Sequence, residues 1–68
     1  MDNIITQIVV ITRDGVGSTS VGSDGVEKII NDSEEWEDGI DFIYNAYGKD
    51  GKLLQQIINC PVDITYKL

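Results

Sequence analysis

Cys60 is the only thiol in the chain and the first side chain to consider as a nucleophile. Nucleophilic catalysis needs a base beside the thiol, and the sequence contains no histidine to act as one. A cysteine before a proline, at the junction of two predicted strands, is typical of a small buried residue. We therefore predict that Cys60 is buried and has no catalytic role. A lone cysteine forms no internal disulfide and fits a reducing compartment.

The carboxylates are the other candidates for chemistry. Six lie between residues 32 and 41, namely Asp32, Glu34, Glu35, Glu37, Asp38 and Asp41. Paired carboxylates serve glycosidases, but a chain of 68 residues has little room for a deep substrate pocket. Their spacing differs from the Asp-x-Asp-x-Asp-Gly calcium loop, and one thiolate with carboxylates makes a poor zinc site. We predict no enzymatic activity, no metal and no cofactor.

The segment from Arg13 to Gly25 is rich in glycine and serine. Gly17 and Gly22 have the spacing of a phosphate-binding loop, but Ser23-Asp24 stands where that motif requires a lysine. Asp24 would repel a phosphate, so the sequence predicts a flexible loop over residues 13–25 rather than an anion site. An irregular strand that uses Val16 and Val21 is the alternative.

The charge balance restricts the classes of partner. The chain has twelve acidic and five basic residues, which gives a formal net charge of −7. Binding to nucleic acid or to an anionic membrane is disfavoured, because phosphate contacts need Lys and Arg. The acidity favours a basic surface on a protein partner. No stretch has the length of a membrane span, and the start at Met1 lacks the features of a signal peptide, so we predict a cytoplasmic protein.

The first half of the chain predicts two strands and one helical turn. Residues 4–12 are mostly β-branched, which favours a strand. Residues 26–31 predict a second strand, with a helix as the competing interpretation because of Glu27 and Lys28. In residues 32–39, Asp32 and Glu35 have capping-box spacing, which predicts a short helical turn that ends at Gly39. Trp36 then either covers the core as a lid or faces a partner.

The clearest structural signal is a β-hairpin over residues 40–59, with Asp50-Gly51 at its turn. A two-residue turn places Tyr47 opposite Leu54 and Ile43 opposite Ile58, whereas a three-residue loop places Tyr47 opposite Leu53. Pro61 breaks the run, and the alternation over residues 62–66 predicts a final strand with Val62, Ile64 and Tyr66 facing inward.

These elements predict a single mainly β domain over residues 1–68 (a β-rich α+β fold at most). We expect about five mostly antiparallel strands in a small sheet or barrel, with at most one short helical turn. Both faces of the hairpin carry apolar residues, and no helix is long enough to cover one. We therefore expect a homodimer. The residues assigned to the core or the dimer interface are Ile43, Tyr44, Tyr47, Leu54, Ile57 and Ile58.

Two functions fit these features. The first is an inhibitor or modulator that binds a protein with a basic surface through Trp36 and the six surrounding carboxylates. In size and charge the chain is similar to small phage-encoded inhibitors of host defence or of nucleic-acid-handling enzymes, which implies action in the host cytoplasm. The second is a structural or assembly module of a virion or larger complex, whose hairpin edge extends a partner sheet.

Overall fold

The computed structural model describes residues 4–68 as an almost entirely β fold. The predicted strand-rich, mostly antiparallel fold is confirmed, and the one helical segment among these residues is a 3-10 turn at Lys49–Gly51. The prediction for Met1 concerns residues outside the described range. The strands are β1 (Ile5–Thr12), β2 (Gly15–Ser20), β3 (Lys28–Asn31), β4 (Glu34–Trp36), β5 (Gly39–Asp41), β6 (Ile43–Tyr47), β7 (Leu53–Ile58) and β8 (Val62–Tyr66).

Six of these strands form one curled sheet in the order β2-β1-β3-β6-β7, with β8 also paired to β1. β2 and β3 lie on the same side of β1, because Gln7 pairs with Ser20 while Ile5 pairs with Ile29. The sheet therefore consists of two three-stranded halves, β8-β1-β2 and β3-β6-β7, joined at the Ile5–Ile29 bridge. β4 and β5 form a separate two-stranded sheet.

The core lies between the two halves. A bulge at Thr6 lets Ile5 and Ile8 both face inward despite their odd spacing, whereas Ile4 and Ile11 of the same apolar run are exposed. Val10 then continues the alternation from Ile8 and packs against the buried residues. The buried apolar residues are Ile5, Ile8, Val26, Ile29, Ala46 and Ile57.

Asp-Gly dipeptides mark four of the turns. They are Asp14-Gly15, Asp24-Gly25, Asp38-Gly39 and Asp50-Gly51. All four glycines have positive φ, which glycine adopts without steric cost. The first dipeptide closes a tight β1–β2 hairpin, so the loop predicted over residues 13–25 is wrong for Gly15–Ser20. The alternative of a strand that includes Val16 describes this segment, although Val21 lies beyond its end.

The hairpin predicted over residues 40–59 is confirmed for β6 and β7, whereas Ile40 and Asp41 belong to β5 and pair with β4. Its register combines the two predicted ones. Near the turn, Tyr47 pairs with Leu53, as the three-residue loop predicts. A bulge at Leu54 then shifts the pairing, so Ile43 lies opposite Ile58, as the two-residue turn predicts. The bulge accommodates a three-residue turn while keeping Ile57 in the core.

The helical turn predicted over residues 32–39 is wrong, because Glu34–Trp36 and Gly39–Asp41 form a β-hairpin. The capping-box pattern is followed by no apolar helical face that packing would stabilise, whereas Trp36 suits a strand and Asp38-Gly39 suits a hairpin turn. The strand predicted over residues 26–31 is confirmed for Lys28–Asn31.

Candidate protein-interaction site

The β4–β5 hairpin carries most of the predicted interaction residues. Trp36 lies opposite Gly39, and Glu34 lies opposite Asp41, so these four residues share one face of the hairpin. Glu35 and Ile40 form the third pair, on the other face. Glu37 and Asp38 form the turn at the tip. The hairpin thus presents an aromatic residue beside carboxylates on a small, separate sheet.

Asp41 connects this hairpin to the main sheet. Its Oδ2 accepts a hydrogen bond from the Trp36 indole Nε1 at 2.9 Å, and its Oδ1 accepts one from Asn59 Nδ2 at 3.1 Å. Asn59 Oδ1 in turn accepts the backbone N–H of Phe42 at 2.8 Å, and the Asn59 N–H donates to the Phe42 carbonyl. The indole is therefore oriented from the end of β7, through a residue that the sequence did not single out.

The indole stays accessible in spite of this hydrogen bond. Trp36 is 58% exposed, so it does not cover the core as a lid. Ile40 and Phe42 are exposed to a similar extent, and a shallow cavity of about 270 Å³ lies beside Trp36, Asp38 and Ile40. Exposed apolar side chains gathered on one projection are typical of an interaction surface.

The hairpin lies in a segment without basic residues. No Lys or Arg occurs between Lys28 and Lys49. The exposed carboxylates on and around the hairpin are Glu34, Glu35, Glu37 and Asp38, and Asp41 is half-buried. Like charges grouped on a projecting element give a local negative potential that attracts basic surfaces.

Asp32 lies apart from this group, in a polar cluster on the outer face of the β3-β6-β7 half. Its Oδ2 accepts hydrogen bonds from Asn45 Nδ2 at 2.6 Å and from the Tyr47 hydroxyl at 2.9 Å. The hydrogen bond to Asp32 raises the pKa of Tyr47, and burial and the negative charge of Asp32 act in the same direction. Lys28 Nζ lies 5.5 Å from the Tyr47 ring centroid. Asp32 is therefore occupied within the fold.

A second asparagine fixes the entry to the hairpin. Asn31 Oδ1 accepts hydrogen bonds from both the backbone N–H and the hydroxyl of Ser33, and Ser33 Oγ accepts the backbone N–H of Ile43 at 3.0 Å. Asn and Ser are residues that bond to nearby backbone at turns. The sequence analysis did not identify Asn31, Ser33 or Asn59 as positioning residues, and this turn propensity is the only sequence signal that could have indicated them.

The residues predicted for the core or a dimer interface fall into two groups. Ile57 is buried, and Ile43, Tyr44 and Tyr47 are half-buried. Leu54 and Ile58 are exposed to more than two-fifths of their area. The curled sheet thus uses part of the predicted set and leaves two members at its surface.

Cys60 is exposed, and its thiol donates to the Ile58 carbonyl at 3.3 Å. The prediction that it is buried is wrong, because Cys60 lies in the connection between β7 and β8, which belong to different halves of the sheet and do not pair within the described residues. Within residues 4–68, no three His, Cys, Asp or Glu side chains gather as metal ligands, and no helix there has the length and hydropathy to cross a membrane.

Comparisons with known proteins give no relative. No family model matches the chain, and neither a curated protein nor a solved structure is significantly similar to it. The function must therefore be inferred from the site itself.

Proposed function

We propose that the protein binds a basic surface on another protein through the β4–β5 hairpin and thereby blocks that surface. The observation that carries the proposal is Trp36, which is hydrogen-bonded to Asp41 and still 58% exposed among carboxylates. Tryptophan is strongly enriched among the residues that contribute most to interface affinity.

The arrangement assigns different roles to the charges and to the indole. The exposed carboxylates at Glu34, Glu35 and Glu37 attract a basic surface and accelerate encounter. Trp36 then supplies buried area and a π-face for a lysine or arginine of the partner. Because Asp41 already orients the indole, less conformational entropy is lost on binding.

The target class follows from the same chemistry. A surface that accepts closely spaced carboxylates is one that normally accepts phosphates, so the partner is a nucleic-acid-handling protein. This fits a small phage-encoded inhibitor directed at such a host enzyme or at a host defence protein. We place the protein in the host cytoplasm, where the exposed Cys60 stays reduced.

The alternative is an assembly module, and a specific cleft favours it. An open cleft of about 690 Å³ lies between β2 and β7, two of the three strands of the curled sheet that have a single partner strand among the described residues. Consecutive residues line it on both sides, 15–18 of β2 and 55–58 of β7. A strand face would contribute only alternate residues, so backbone edges border this cleft. An extended segment of a partner sheet would pair there.

Capture of a partner from host lysate, followed by mass spectrometry, identifies a target that can then be purified. We expect Trp36→Ala and the double substitution Glu35→Lys with Glu37→Lys each to weaken binding to that target at least about tenfold. The matched control is Asp14→Lys with Glu27→Lys, which changes the net charge equally at exposed positions outside the hairpin and should weaken binding much less.

Raised salt should slow association, since the attraction between exposed charges is screened. Circular dichroism spectra are used to check that each variant is folded. Binding that is unchanged in the hairpin variants, or equally weakened by the control pair, contradicts the proposal. Loss of binding on Gln56→Pro at the β7 edge, with the hairpin variants still active, would instead support the assembly module.

A further inference from the structure

Among residues 4–68, β8 pairs only with β1, so one of its edges has no partner strand there. Two hydrogen bonds at its ends show which of its backbone groups face β1. The Ile11 N–H donates to the Pro61 carbonyl at 3.1 Å, and the Lys67 N–H donates to the Ile4 carbonyl at 2.7 Å. Since backbone groups alternate in direction along a strand, the odd-numbered residues of β8 face β1 and the even-numbered ones face away.

The outward backbone groups therefore belong to Val62, Ile64 and Tyr66. Among the described residues, the backbone hydrogen bonds outside the strand ladders and the side-chain hydrogen bonds do not involve the N–H or C=O of these three. A row of donors and acceptors at strand spacing is matched only by another extended backbone.

The side chains of β8 indicate which backbone fits. A two-fold axis perpendicular to a sheet can relate two copies of the same strand. The two copies then pair antiparallel, and the residue on the axis lies opposite the same residue of the second copy. Centred on Ile64, this places Val62 opposite Tyr66 of the second copy and Asp63 opposite Thr65 of the second copy. The alternation of β8 is symmetric about Ile64, so every apolar residue meets an apolar one and no two carboxylates are opposed.

Neighbouring registers are poorer. An axis at Asp63 would oppose two like charges, and an axis at Thr65 would place Val62 opposite Leu68 of the second copy, which lies beyond the end of β8. The edge of β7 is less accessible, because Thr19 of β2 approaches it and its Oγ1 donates to Gln55 Oε1 at 2.6 Å. The β8 edge has no such neighbour among the described residues.

We propose that two copies of the chain pair antiparallel through β8, with Ile64 of each copy on the two-fold axis. The two β8-β1-β2 halves then form one continuous sheet. Tyr66, which is 44% exposed, packs beside Val62 of the second copy and extends the small core. This inference is independent of the proposed function, because the β4–β5 hairpin takes no part in it.

Cysteine cross-linking tests the register. Asp63 and Thr65 are exposed and form the non-hydrogen-bonded pair, whose short separation suits a disulfide. In a Cys60→Ser background, Asp63→Cys with Thr65→Cys should give a covalent dimer on mild oxidation, and Thr65→Cys alone should not. Efficient cross-linking by Thr65→Cys alone overturns the register, and no cross-linking by the double variant overturns the interface.

Sedimentation of the unmodified chain at micromolar concentration tests the dimer itself, and a monomer under all conditions refutes it. Tyr66→Pro removes an outward N–H in each copy and should raise the dimer dissociation constant about tenfold or more. Tyr66→Ala keeps that N–H and should have a smaller effect; equal effects would contradict the backbone pairing. Because each copy carries a charge of −7, added salt should strengthen the dimer while it weakens binding to a basic partner.

Discussion

Replacing Asp32 by alanine tests whether this carboxylate serves the fold or the interaction surface. In the structure its Oδ2 accepts hydrogen bonds from the Asn45 amide and the Tyr47 hydroxyl. Asn45 is 7% exposed, and its Oδ1 has no hydrogen-bond partner among the described residues. Without Asp32, the whole buried amide would be unpaired.

The expected loss follows from that burial. Leaving a buried polar group unsatisfied costs about 1–3 kcal/mol. The Tyr47 hydroxyl is only half-buried and can turn to water, so it adds little. We expect Asp32→Ala to lower the free energy of unfolding by about 1.5–3 kcal/mol, a large part of the ~5–15 kcal/mol of a small domain.

Urea unfolding followed by far-ultraviolet circular dichroism measures this loss. With an m-value of about 1 kcal/mol/M, the midpoint should fall by roughly 1.5–3 M. The double variant Asp32→Ala with Asn45→Ala should cost less than the sum of the single changes, because both partners are then absent. Glu35→Ala, on the exposed hairpin, is the control and should change stability by no more than about 0.5 kcal/mol.

The reasoning is refuted if Asp32→Ala changes stability by less than about 0.5 kcal/mol, or if its effect and that of Asn45→Ala are additive. If Asp32→Ala weakened partner binding and left the stability unchanged, Asp32 would belong to the interaction surface, as the sequence analysis predicts.

Two further predictions concern the β6–β7 hairpin. An alanine Cβ at Gly48 would lie 2.8 Å from Leu54 Cδ1 and 3.1 Å from the Gly25 carbonyl oxygen, so Gly48→Ala should cost about 1–3 kcal/mol in urea unfolding. Adding Leu54→Ala should recover part of that loss, and strictly additive costs would show that the two side chains do not collide. Because its pKa is raised in the folded state, Tyr47 stabilises the fold below about pH 10, and this contribution is lost as pH rises through the raised pKa. The urea midpoint of the parent chain should therefore exceed that of Tyr47→Phe near neutral pH, and the difference should shrink as the pH rises above about 10; a constant difference contradicts this assignment.

The strands with strong local signals were predictable from the sequence. The β-branched run of β1, the alternation of β8 and the Asp50-Gly51 turn each determine local structure through side-chain shape and backbone freedom. The β1–β2 and β4–β5 hairpins were missed, although Asp14-Gly15 and Asp38-Gly39 carry the same turn signal. The glycine content of β2 favoured a loop and the capping-box pattern before β4 favoured a helical turn, and both were given more weight than the Asp-Gly signal.

The candidate site was only partly predictable from the sequence. The sequence by itself determined that an acidic segment surrounds Trp36, that it contains no Lys or Arg, and that the chain is short of core. Only the tertiary structure separated Asp32 from the other carboxylates, because its partners Asn45 and Tyr47 reach it across strands. It also decided that Trp36 is held by Asp41 and Asn59, and that one edge of β8 has no partner strand within residues 4–68. Such facts depend on which strands meet, and strand pairing is set by burial over the whole sheet rather than by neighbouring residues.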